Sequence, residues 1–346
     1  MKCQEDYISD LIEIRESPGK GRGYFAKQDI PKNTLVVVSK AIVMIYADQH
    51  TPNDAKLIEK QLKQNRKTFS QQHLAAFDAM YGGPDQKKDL FTKFNYNSFR
   101  AHQRLDVQYI PALQVKTPDV GLFTVLSYFN HSCVPNTTKY FIKDQAFIMT
   151  TENITKDSEL FVSYAANEQN YFNLAGRTSG LKNYFQLCDC PLCALQQTET
   201  YTVLQLKLDE HLKFVRSPVK NDVEEVQLMC LKFLDLQKEI LELNNELLVL
   251  DGEIEAAEYY FERLNSSKPA YIEQLIDIVA YGFNKNVKSF LKPESFYVLN
   301  KLRCLKQMHM DQKAFLEEFK QYETDRFGSA DHIDTRYAKW LKKWTV

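Results

Sequence analysis

The sequence predicts an α+β chain, with a sheet-rich N-terminal half carrying a helical insert and an all-helical C-terminal half. Three observations predict it. Short runs of β-branched and aromatic residues between turn formers occupy residues 7–46 and 138–163. Residues 51–81, between those runs, keep helical spacing. Beyond Cys193 almost every stretch suits a helix. At 346 residues the chain has room for one or two domains with cores of their own, and a boundary near 195 is expected.

Totals exclude several function classes. The formal net charge of −1 provides no basic field across the whole chain, so no direct nucleic-acid partner is expected. The first ten residues, MKCQEDYISD, hold no apolar core of a secretory signal. No apolar run approaches the ~20 residues of a membrane span, so no membrane partner is expected. Seven cysteines, three of them between 188 and 193, do not form a secreted disulfide framework. A soluble protein of a reducing compartment, nucleus or cytoplasm, is the expectation.

In chain order, Leu11, Ile12 and Ile14 lead into the turn former Ser17-Pro18-Gly19. Gly19, Gly21 and Gly23 alternate with Lys20 and Arg22, which allows positive φ or a close backbone approach to a ligand. This is neither a P-loop nor a dinucleotide fingerprint, because no GK[ST] follows and Leu35–Val38 reads as a strand. Thr51-Pro52 opens the helical stretch, Leu57, Ile58, Leu62, Leu74, Phe77 and Tyr81 give its apolar spacing, and Gly82-Gly83-Pro84 stops it. Residues 91–103 read FTKFNYNSFRAHQ, where Asn95 and Asn97 are both turn formers.

Residues 121–136, GLFTVLSYFNHSCVPN, join a short apolar run to the tetrapeptide Asn130-His131-Ser132-Cys133. Turn and cap formers there predict a bent, buried, hydrogen-bonded segment. Residues 138–148 and 154–163 read as strands, with Lys143-Asp144 as a hairpin tip. Residues 184–193, YFQLCDCPLC, place Cys188, Cys190 and Cys193 within six residues, a strong metal signal that lacks a fourth ligand. Helices are predicted over 200–215, 222–250, 254–264, 270–283, 293–308, 312–327 and 333–344, punctuated at Ser217-Pro218, residues 265–269 and Lys292-Pro293. No 34-residue repeat consensus is readable in them.

Four stretches, GKGRG at 19–23, NHSCVPN at 130–136, ELFVSY at 159–164 and CDCPLC at 188–193, together resemble the SET domain of protein-lysine methyltransferases. Asn97-Ser98-Phe99 resembles a segment of the SET–MYND group. The chain has no cysteine between Cys3 and Cys133, where that group carries its MYND zinc finger, so a type lacking the finger is expected. The resemblance covers residues 8–195 in order and motif, and 196–346 only in class.

The resemblance implies a SET-domain β-fold over 1–195, with a helical insert at about 50–100 and a zinc-bound post-SET tail at about 184–195. A TPR-like all-helical domain would follow over 196–346. It implies S-adenosyl-L-methionine-dependent methyl transfer to a lysine of a histone or non-histone protein. Tyr164 would stand by the methyl and the amine, and Tyr184 would wall the lysine channel. Lys20, Gly21, Arg22, Asn97, Asn130, His131 and Phe185 would hold the cofactor, with His131 a structural hydrogen-bonder that fixes the bend. Cys133 would join Cys188, Cys190 and Cys193 around Zn(2+), and the helical domain would offer a surface for protein partners. One departure stands out: the family's adenine-packing aromatic, two positions before the first tail cysteine, is Gln186 here. That departure keeps open a weak or inactive SET-fold scaffold. A purely helical interaction protein with an incidental sheet domain is the second alternative.

Overall fold

The computed structural model describes residues 6–46, 55–65, 67, 71–83, 89–101, 119–164, 174–182, 184, 188–218, 222–243, 252–264, 271, 274–275, 278 and 312–338. The chain divides into two compact units. One is drawn from Met1–Ala166, Gly180–Cys188 and Lys320–Val346, the other from Asn167–Ser179 and Asp189–Phe319.

Among the described residues the first unit holds three small sheets. Strands β1 (Tyr7–Ile8), β4 (Leu35–Lys40), β10 (Gln145–Thr150) and β9 (Thr137–Ile142) form one, in the order β1-β4-β10-β9. Strands β2 (Ile12–Ser17), β3 (Gly21–Ala26), β11 (Glu159–Val162) and β8 (Asn130–His131) form the second, in the order β2-β3-β11-β8. The third is β5 (Val43–Ile45), β7 (Val120–Leu122) and β6 (Ser98–Arg100), in the order β5-β7-β6. All pairings are antiparallel except β11 with β8.

Local chemistry explains these elements. Ser17 ends β2, and Gly19 and Gly21 take φ of +73° and +80°, which carries the chain tightly into β3. Lys143 takes φ of +54° in the two-residue link between β9 and β10. The edge strand β2 turns Glu13, Ile14 and Glu16 to solvent, and charge on an outer strand discourages further strand pairing. Ile12, Tyr24, Val36, Phe141, Ile148 and Leu160 belong to one buried core shared by the first two sheets.

The helical stretch expected over 51–81 is two helices, α1 (Ala55–Asn65) and α2 (Gln71–Asp78). Ile58, Leu62 and Phe77 bury themselves with Phe94, Val43 and Leu122, which seats this insert on the third sheet. Asn95 and Asn97 lie in α3 (Leu90–Asn97), not in a loop. Asp89 caps that helix by accepting from Thr92 N at 2.8 Å, and the cap with its burial outweighs the turn preference of asparagine.

The second unit is helical: α4 (Leu174–Leu181) in its part up to Ser179, α5 (Pro191–Gln196), α6 (Glu199–Val215), α7 (Val223–Glu242) and α8 (Glu253–Leu264). Thr198 caps α6 and Asp222 caps α7, the latter with Glu224 and Glu225 in the first turn. Helices α6, α7 and α8 pack on one another, with Leu204, Leu208, Phe233 and Tyr260 buried. The helix expected over 293–308 lies outside the described residues, as does most of that over 270–283. Helix α9 (Gln312–Phe327) is as expected, and α10 (Ile333–Arg336) begins where expected. Among the described residues no helix is long and apolar enough to cross a membrane.

Candidate active site and four-cysteine centre

The bend expected at NHSC forms where β8 runs parallel to the end of β11. A 3-10 turn at Leu126–Tyr128 and the buried Phe129 deliver Asn130 opposite Phe161 and His131 opposite Val162. Ser132 N then donates to Val162 O at 3.1 Å. Asn136 fastens the exit, donating to Glu159 O and accepting from Phe161 N, both at 2.8 Å. The side-chain amide thus bonds as a neighbouring strand would.

Tyr164 follows directly. Its N–H donates to His131 Nδ1 at 2.9 Å, and its hydroxyl donates to Phe129 O at 2.7 Å. A backbone amide can only donate, so Nδ1 carries no proton and the ring proton sits on Nε2. Nε2 lies 3.2 Å from Cys133 Sγ. The imidazole therefore bridges the tyrosine backbone and a cysteine, with both nitrogens engaged. Because the Tyr164 hydroxyl gives its hydrogen to Phe129 O, its oxygen lone pairs remain free to accept from a reacting group. Burial first, then the Tyr184 and Glu159 charges, push this phenol well above the ordinary range.

Aromatic rings extend the site. Tyr164 lies against Tyr184 at 5.1 Å between centroids, Tyr184 meets Tyr96 at 5.9 Å, and Tyr96 meets Tyr81 at 5.4 Å. Burial raises the Tyr184 phenol as well, against the lowering pull of Arg100. Asn97 is buried next to this row, and its Nδ2 donates to Tyr81 O at 2.8 Å and Lys93 O at 2.7 Å. Both of its amide hydrogens are so committed, which leaves Oδ1 to accept from a ligand.

The glycine-rich turn meets the same strands. Asn130 Nδ2 donates to Arg22 O at 3.2 Å and to Glu159 Oε1 at 2.6 Å. Lys20 Nζ lies 5.2 Å over the Phe161 ring, and Arg22 lies 5.0 Å over the Tyr128 ring. A Cβ on Gly23 would fall 2.1 Å from Glu159 Oε1 and 2.9 Å from Asn130 Nδ2, so a side chain here would have to displace the Glu159–Asn130 pair. Glu159 also accepts from Ser17 Oγ at 2.9 Å. It ties the turn to the NHSC segment, a joining role the sequence reading missed. Its place at the head of ELFVSY was the available signal.

The structure therefore brings Lys20, Gly21, Arg22 and Asn130 together, and links His131, Tyr164 and Tyr184 through direct contacts. Phe185 and Gln186 lie outside the described residues.

Cys133, Cys188, Cys190 and Cys193 are all buried, with their sulfurs within 4.8 Å of one another, and none is in a disulfide. Cys133 and Cys188 stand 3.9 Å apart. Four thiolates held ~2.3 Å from a tetrahedral zinc have edges of about 3.8 Å, so the spacing suits that ion. Cys190 sits at the N-cap of α5 with Pro191 next, and the helical turn brings Cys193 to the same side. Arg177 Nη2 lies 3.5 Å from Cys193 Sγ and also donates to Gln196. A buried guanidinium beside sulfur favours the thiolate form that a metal needs.

Residues 21–165 match the family described as SET domain. The histone-lysine N-methyltransferase ASHR1 of Arabidopsis thaliana is 33% identical over 104 residues, covering 30% of this chain and 19% of that protein. The protein-lysine N-methyltransferase SMYD4 of Homo sapiens is 38% identical over 82 residues, 23% of this chain and 10% of that protein. The histone-lysine N-methyltransferase set5 of Schizosaccharomyces pombe is 22% identical over 218 residues, 62% of this chain and 60% of that protein. The chain thus spans from 10% to 60% of the length of these relatives. It carries a SET domain homologous to those of the SET-MYND protein-lysine methyltransferases.

Proposed function

We propose that this chain is an S-adenosylmethionine-dependent protein-lysine N-methyltransferase of the SET–MYND-like type, without the MYND finger and with a TPR-like helical C-terminal domain. The observation that carries the reading is the Tyr164 constellation at the crossing of β8 and β11, inside the stretch that matches the SET domain. There the tyrosine is fixed by Phe129 O, His131 Nδ1 and the Tyr184 ring.

S-adenosylmethionine, when bound, supplies a methyl group on a sulfonium. Lys20, Gly21, Arg22, Asn97, Asn130, His131 and Phe185 are the residues that would hold it, several through backbone groups. Only a neutral lysine amine is a nucleophile, so the incoming ammonium must lose a proton. A lysine channel walled by Tyr184 and its aromatic neighbours would be poorly hydrated and would disfavour the ammonium charge. The Tyr164 oxygen would accept a hydrogen bond near the transfer point and align the amine, since in-line geometry accounts for much of such acceleration. Burial keeps that phenol protonated at neutral pH, so it holds its bond to Phe129 O. The four cysteines would hold one Zn(2+) in a closed, structural site. A histone or non-histone protein of nucleus or cytoplasm is the substrate class, and the helical unit is the surface we assign to protein partners.

The test is a labelled-methyl transfer assay on histones and on a cell lysate. Label on protein that is lost with Tyr164→Phe supports the reading. No label from a folded, zinc-loaded protein that binds S-adenosylmethionine overturns it.

A further inference from the structure

Strand β9 does more than complete its sheet. It is the outer strand of the β1-β4-β10-β9 sheet, and its backbone pairs with β10. Thr137 and Lys139 are two residues apart and so lie on one face of the strand. Thr137 Oγ1 donates to Phe161 O, and Lys139 Nζ donates to Ser163 O, each at 2.6 Å. The two acceptors are also two residues apart, in or just beyond β11, a strand of the other sheet. Asn136 begins the same run with its bonds to Glu159 O and Phe161 N. Side chains of one strand therefore bond a row of backbone groups on another, at the pitch of a strand pair. The last bond falls on the carbonyl immediately before Tyr164.

We propose that Lys139 is a positioning residue for methyl transfer, anchoring Ser163 O so that Tyr164 leaves β11 with its hydroxyl on Phe129 O. The proposal rests on the methyltransferase reading. Tyr164 is held on its N–H by His131 and at its hydroxyl by Phe129, while its approach along the chain is set by Ser163. An ammonium is a strong donor to a carbonyl because the bond is charge-assisted. Lys139 is half-buried and burial pushes its ammonium down to about 8, so this cation sits in a poorly hydrated place and the Ser163 carbonyl solvates it. A misplacement of about 1 Å can lower a rate by ~10²-fold. The cation therefore bears on rate although nothing places it against the cofactor or the substrate.

The test is Lys139→Met, which keeps the aliphatic stem and removes the donor. We expect kcat to fall about ten- to a hundredfold, with KM for S-adenosylmethionine changed less than about twofold and zinc content unchanged. In a Tyr164→Phe background the same substitution should add no further loss, because the two residues act as one unit. Fully additive losses, a rise in KM alone, or unchanged kcat overturns the proposal. Lys139→Gln, too short to reach Ser163 O yet still polar, is the second variant should Met impair folding, and the same losses are expected. The Tyr164 amide resonance gives a readout without turnover. It should shift in either variant, and an unmoved signal overturns the proposal. If the wild type transfers no methyl group, the methyltransferase reading fails while the amide signal still decides whether Lys139 places Tyr164.

Discussion

The two units use polar side chains in different ways. In the sheet unit, Asn136, Thr137, Lys139, Asn97 and Tyr164 bond backbone groups that lie up to 35 residues away in sequence. In the helical unit, Thr198 and Asp222 bond amides three residues away, and polar contacts between helices, such as His211 with Tyr260 Oη at 2.8 Å and Arg216 with Glu255, join side chain to side chain across faces that are largely apolar and aromatic, with Leu208 and Phe233 buried. The first arrangement needs specific residues at specific places. The second needs, at most positions, a class of residue at a spacing. Substitutions in the sheet unit should therefore be severe and position-specific, and those in the helical unit graded.

Loss of a metal-ligating cysteine should be the severest change of all. Each buried thiol is a fold contact once metal is bound, so Cys190→Ala should abolish stoichiometric zinc and cost roughly 4–5 kcal/mol or more. Metal analysis and thermal melting check this. Retained zinc with an unchanged melting temperature would show that Cys133, Cys188 and Cys193 suffice.

Tyr164→Phe separates chemistry from folding in the sheet unit. It deletes one hydroxyl while the ring stays against His131 and Tyr184. Turnover should drop by about 10²–10³, as for loss of one preorganised transition-state hydrogen bond, while zinc content stays unchanged. A drop in S-adenosylmethionine affinity with kcat intact would place the hydroxyl on the cofactor instead.

The same contrast decides what the sequence disclosed. NHSC, ELFVSY and CDCPLC are readable because their chemistry requires those residues, and the structure gathers Cys133 with Cys188, 55 residues on, and with Cys190 and Cys193 beyond it. Lys139 gave no such signal, and Glu159 gave only its place at the head of ELFVSY, which says nothing of the groups it joins. A lysine in a strand reads as solvated until the carbonyl it reaches is known, and an acid beside an apolar run reads as surface. Asn97 shows the opposite limit: its turn preference was legible, but Asp89, the residue that caps the helix around it, decided the outcome. In the helical unit, periodicity located α6, α7 and α8 to within a few residues at their starts. Their packing arrangement was not legible, since many helix pairings satisfy one spacing.

Glu253 provides a pH-dependent test of the graded half. It opens α8 almost fully buried, and its Oε1 has no hydrogen-bond partner among the described residues. Burial raises its carboxyl to about 7. The unfolded carboxyl titrates near ~4.3. Between these values the folded chain keeps a proton that the unfolded chain has lost, so stability falls as pH rises from about 4 to 7 and then levels. Glu253→Gln removes that loss. The variant should match wild type near pH 4 and exceed it by ~3–4 kcal/mol at pH 8. Urea unfolding at both values checks this, and an equal shift at each pH would assign the effect to packing.

The smallest effect is expected at a cap. Asp222 accepts from Glu225 N at 2.8 Å in an exposed setting, and its charge lies at the positive end of the 20-residue α7. Asp222→Ala leaves that amide to water and removes the favourable charge, at a cost of about 1 kcal/mol. The buried face of α7, with Cys230, Phe233 and Leu234, is untouched, so the helix should persist and only its first turn fray. Amide exchange at Glu224 and Glu225 should quicken while that at Phe233 holds. Should exchange quicken along the whole helix, the cap would be setting the cooperativity of the unit, and the division between residue-specific and graded halves would not extend to its helix ends.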